Sequence, residues 1–115
     1  MIRNIVDNPG TLQLSQLLSQ LKAKLQQHYG DRLRGVYLFG SYSRHEADPE
    51  SDVDVLIVLD DFSQNGAEVN ATAQIVGDLS LEHTVSINIV FVRQAEWQKN
   101  DTPFLKNVRE EAVAA

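Results

Sequence analysis

A chain of 115 residues, 43% of them apolar, can bury one core and leaves little room for a second, so residues 1–115 read as a single domain. A net charge of −6 with no clustered run of Lys and Arg excludes a surface built to grip a polynucleotide backbone, and the lack of cysteine excludes disulfides and thiolate chemistry. Met1-Ile2-Arg3-Asn4 does not lead into an apolar stretch, and the longest apolar run, residues 55–59, is far too short to span a bilayer. A cytoplasmic protein with no membrane contact is the expectation.

After Pro9-Gly10, the residues Leu14, Leu17, Leu18, Leu21 and Leu25 recur at steps of three and four, which predicts a helix from near Thr11 to before Gly30. Residues 35–39, rich in Val, Tyr and Phe, read as a strand that Gly40-Ser41 interrupts. Residues 42–51 are polar, contain Pro49 and read as loop. Residues 53–59 are almost continuous in branched apolar side chains, the pattern of a strand covered on both faces. Val69, Thr72, Ala73, Val76 and Leu79 have helical spacing across Gly77, residues 86–92 form a third strand, and Thr102-Pro103 opens a last helix. This order predicts an α/β (α+β) fold, a small mixed sheet of three or more strands with helices packed on it.

Chemistry concentrates between Leu38 and Val58. Gly40-Ser41 ends a strand, where a glycine admits a phosphate close to the backbone and a hydroxyl can donate to it. By itself such a pair is most often a turn. Asp52 and Asp54 open the next strand. As residues i and i+2 they share a face, roughly 6.6 Å apart at about 3.3 Å per residue, and two carboxylates so placed can share metal ions. Magnesium favours such oxygen ligands and leaves positions for substrate phosphates. A bare D-x-D pair is more often a cap and an exposed strand residue, but an anion-binding turn followed by a carboxylate pair on a neighbouring strand points to a site.

Gly40-Ser41, the ten residues 42–51 and Asp52-Val53-Asp54 resemble the G-S, spacer, D-x-D motif of polymerase β type nucleotidyltransferases. Arg44, Glu46 and Ala47 resemble the form found in the minimal nucleotidyltransferase (MNT) group, and residues 102–111 resemble that group's closing helix. The resemblance implies a polymerase β palm-like nucleotidyltransferase fold. It also implies transfer of a nucleoside monophosphate from a triphosphate, ATP, held with two magnesium ions for which manganese can substitute. On that reading Gly40, Ser41 and Arg44 hold the nucleotide, while Asp52 and Asp54 hold metal and act in catalysis. The superfamily's third carboxylate falls here on Asn88, whose amide can ligate a metal only weakly and cannot act as a base.

A domain of this size has little to hold an acceptor. The resemblance implies that a HEPN-family toxin brings it, that the chain is the antitoxin adenylylating that partner on a hydroxyl, and that it works as a homo- or hetero-oligomer. Two other functions stay open: a non-catalytic module that neutralises its partner by binding, and an aminoglycoside-type small-molecule nucleotidyltransferase. His28, His45 and His83 lack metal-ligand spacing, Trp97 and the phenylalanines read as core or partner contacts, and Glu110 and Glu111 read as a solvated helix face.

Overall fold

The computed structural model describes residues 9–40, 52–99 and 102–115. Helix α1 spans Pro9–Tyr29 and buries Leu17, Leu18, Leu21, Leu25 and Tyr29, the stripe that the leucine spacing predicts. Gly30 follows at φ +59°, a left-handed conformation in which a glycine ends a helix without steric penalty, and a single 3-10 turn leads into β1. Strand β1 is Leu33–Phe39 and β2 is Val53–Leu59. Helix α2 is Asn65–His83, β3 is Ile87–Arg93, α3 is Gln94–Lys99, α4 is Pro103–Glu111 and β4 is Val113–Ala114.

The sheet order is β3-β2-β1-β4. Strands β1 and β2 run antiparallel with Phe39 opposite Asp54, and β2 and β3 run parallel with Asp54 opposite Asn88. Short β4 pairs antiparallel with β1 through Tyr37 and Leu38. The sheet is therefore mixed and four-stranded, as a fold of three or more strands with helices allows. Neither β4 nor α3 has a counterpart in the sequence pattern: a two-residue strand and a six-residue helix are too short to display a period.

Helices cover both faces. Leu21, Leu25 and Leu79 pack with Val36, Leu38, Val53, Val55 and Ile57 on one face. On the other, Leu56, Val58 and Val92 pack with Trp97, Leu105 and Val108. Strand β2 lies in the middle, so every residue from Val55 to Leu59 is buried and its apolar run does not alternate. The α1–α2 pair is also tied by the Tyr29 hydroxyl, which donates to Glu68 Oε1 at 2.7 Å.

Helix α4 starts as its first two residues dictate. The Thr102 hydroxyl oxygen accepts from the Leu105 amide at 3.1 Å, and Pro103, which has no amide hydrogen to satisfy, takes the first turn.

Candidate active site

The site lies where β1 ends and β2 and β3 begin. In strictly parallel α/β sheets ligands sit beyond the carboxyl ends of the strands; here the antiparallel β1–β2 pair brings one carboxyl end and two amino ends together. Asp52, Asp54, Leu56 and Val58 alternate along the chain onto one face, the face covered by α3 and α4. The helices reach Leu56 and Val58 but leave Asp52 exposed and Asp54 half-buried.

Asn88 faces Asp54 across the β2–β3 ladder. Its side-chain nitrogen donates to Asp52 Oδ2 at 3.0 Å and to Asp54 Oδ1 at 3.1 Å. One amide group thus spends both of its N–H donors on the two carboxylates and offsets their mutual repulsion. One carboxylate oxygen from each aspartate faces the Asn88 nitrogen, so two oxygens of the kind a divalent cation takes as ligands lie together. The residues fit such an ion, with Asp52 and Asp54 as ligands. Asn88 could join them through Oδ1 only after its amide turned over. Among the described residues no group of three or more His, Cys, Asp or Glu is placed to hold a metal. Ser86, on the same side of β3 by alternation, is exposed, and its backbone carbonyl accepts from the Val53 amide at 2.8 Å.

Gly40 is where β1 gives way, at φ +76°. A side chain there would be strained, and a Cβ would collide with the Asp54 carboxyl group. The glycine therefore lets Asp54 lie against the end of β1. Its amide donates to Glu111 Oε1 at 2.9 Å. This corrects the expectation for the end of α4: Glu110 is exposed, but Glu111 is half-buried and turned toward the site. No local pattern marks the difference. The signal is the pairing of β4 with β1, which carries Glu111 alongside Gly40.

Ser41 and Arg44, expected to hold the nucleotide, lie outside the described residues, as does His45. His28 is exposed, and His83 Nε2 is 2.7 Å from Gln20 Oε1. Trp97 is buried, with its ring 4.9 Å from that of Tyr37 and the Arg109 guanidinium 4.4 Å above it. Phe39 and Phe104 meet edge to face at 5.9 Å. Trp97 is therefore a core residue, as its type suggests.

Two groups with displaced proton affinity lie away from this edge. Burial, then the hydrogen bond to Glu68, pushes the Tyr29 hydroxyl well above its ordinary range. The Asp61 amide, followed by Arg32, holds the exposed Asp60 carboxyl below its usual value.

The architecture agrees with comparisons to known proteins. A family model described as the nucleotidyltransferase domain matches residues 18–114. The chain is 30% identical over 99 residues to a protein of Methanocaldococcus jannaschii provisionally named a protein adenylyltransferase, covering 85% of this chain and 89% of that one. A second such protein from the same organism is 29% identical over 83 residues, 72% of this chain and 83% of the relative. Among solved structures, a chain of a toxin–antitoxin complex with AMP-PNP superposes with a TM-score of 0.58 at 21% identity, over 82% of this chain and 68% of that one. A Sulfolobus solfataricus protein provisionally named a nucleotidyltransferase gives 0.56 at 14%, over 96% and 90%. A chain from the complex of tri-AMPylated Shewanella oneidensis HEPN toxin with MNT antitoxin gives 0.52 at 21%, over 86% and 69%. These structural likenesses are likenesses of fold. With the family model spanning most of the chain, the protein belongs to the nucleotidyltransferase domain family and is an enzyme of that family.

Proposed function

We propose that the chain transfers AMP from magnesium-bound ATP to a hydroxyl of a HEPN-family toxin and so serves as that toxin's antitoxin. The observation that carries this reading is that one oxygen each of Asp52 and Asp54 faces the Asn88 nitrogen, with Asp54 against Gly40. The relatives' names and the adenylylated toxin in a structurally similar complex supply the acceptor class. In the proposed reaction the acceptor hydroxyl oxygen bonds to the α-phosphorus, the bond to pyrophosphate breaks, and the hydroxyl proton passes to water.

Magnesium, when bound, supplies charge neutralisation for the triphosphate and the leaving pyrophosphate. The protein's part is positioning. Asp52 and Asp54 hold the ions, Gly40, Ser41 and Arg44 hold the phosphates, and Asn88 keeps the two carboxylates aligned.

Intact-mass spectrometry of the cognate HEPN protein after incubation with this chain, ATP and magnesium tests the proposal. Gains of whole AMP units that disappear with the Asp52→Asn, Asp54→Asn double variant are expected. An unchanged mass while the two proteins still form a complex would defeat it. One observation favours a second reading, a module that neutralises its partner by binding alone: Asn88 supplies no third carboxylate and already occupies both aspartates. Under that reading the double variant would still neutralise the toxin.

A further inference from the structure

The hydrogen bond from the Gly40 amide to Glu111 has no part in the contacts among Asp52, Asp54 and Asn88 described above, yet it joins two segments 71 residues apart at the edge of that cluster. Its origin lies in the sheet. Strand β4 pairs Val113 with Leu38, and Ala115 donates its amide to the Val36 carbonyl at 2.9 Å. Continuing this antiparallel register by two residues sets Glu111 beside Gly40. The backbone ladder stops before that point because Glu111 still belongs to α4 and the Ala112 amide turns back to the Val108 carbonyl at 2.7 Å. The Glu111 side chain takes the place of the missing ladder bond and accepts the Gly40 amide.

Gly40 has a positive φ, lies against the Asp54 carboxyl group and is the residue at which the chain leaves β1 for Ser41. A residue with so little steric restriction has many alternatives, and nothing in its own chemistry selects this one. We infer that Glu111 is a positioning residue for nucleotide binding: by accepting the Gly40 amide it holds Gly40 at the end of β1 and keeps Asp54 seated against it. The inference rests on the proposal that this edge of the sheet binds a magnesium nucleotide.

Calorimetric titration with AMP-PNP and magnesium tests it, using the full chain, Glu111→Ala and Glu111→Gln. The glutamine carbonyl can accept the same bond, whereas alanine cannot. The alanine variant is expected to bind about tenfold more weakly, since it cannot accept the Gly40 amide, with the glutamine variant within about twofold of the parent. Melting curves of all three show whether the alanine variant folds, and loss of affinity at an unchanged melting temperature is the supporting result. Equal affinity in the alanine variant overturns the inference. So does tighter binding by both variants, which would make the carboxylate a competitor of the phosphates. Absence of binding by the parent chain would instead refute the nucleotide-site reading beneath it.

Discussion

Asn88 is the residue on which the site's character turns. A carboxylate in its place would set like charges beside one another across the β2–β3 ladder, which is destabilising. The amide instead satisfies both aspartates without metal. Asn88→Asp should therefore lower the melting temperature in EDTA, and magnesium should restore it by a larger margin than in the parent chain; equal magnesium shifts in the two proteins would show that the three side chains do not share an ion. Asn88→Ala should cost about 1 kcal/mol in EDTA, since two exposed hydrogen bonds are lost together. Gly40→Ala combines left-handed strain of about 1–2 kcal/mol with displacement of the Asp54 carboxyl group. Denaturant unfolding would measure the first effect and magnesium titration the second.

At the C-terminal end of α2 the local sequence suits the backbone poorly. Thr84, which caps its C-terminus at φ 55°, is a β-branched residue in a left-handed conformation, held by the hydrogen bond its amide donates to the Ser80 carbonyl. Asparagine tolerates this conformation better, so Thr84→Asn should raise stability by up to about 1 kcal/mol in urea unfolding.

The tie between α1 and α2 has a pH signature. The Tyr29 hydroxyl keeps its proton in the fold well above the ordinary tyrosine range, whereas the unfolded chain releases it near pH ~10. Above that pH the folded state binds more protons, so this contribution is fully present below about pH 10 and is lost as the pH rises further. Tyr29→Phe should cost about 1 kcal/mol at neutral pH and flatten the alkaline decline; equally steep alkaline curves for both proteins would locate the titration elsewhere.

For the whole molecule, stability depends on a sheet covered on both faces. Leu56, fully buried in the central strand, lies two residues from Asp54 and packs toward α3 and α4. Leu56→Ala should cost about 3 kcal/mol, through lost transfer energy and the cavity left behind. Leu81, 83% exposed on α2, should tolerate Leu81→Ser within about 0.5 kcal/mol. Similar losses from both substitutions would contradict this placement of the core.

Much of this architecture is legible in the chain itself, because helix and strand periods are local properties. Leu14 through Leu25 mark α1, the unbroken run of β2 announces a strand covered on both sides, and Thr102-Pro103 marks the start of α4. The face shared by Asp52 and Asp54 is local as well, since alternation along a strand settles it. Other features depend on strand order and register between distant segments. That Asn88 bridges both aspartates follows from β2 and β3 lying parallel with Asp54 opposite Asn88. That Glu111 reaches Gly40 while neighbouring Glu110 stays exposed follows from β4 pairing with β1. Residue types and local spacing pick out which residues could carry the chemistry. Which of them meet is a matter of strand pairing, because a hydrogen bond between residues 71 apart leaves no periodic trace along the chain.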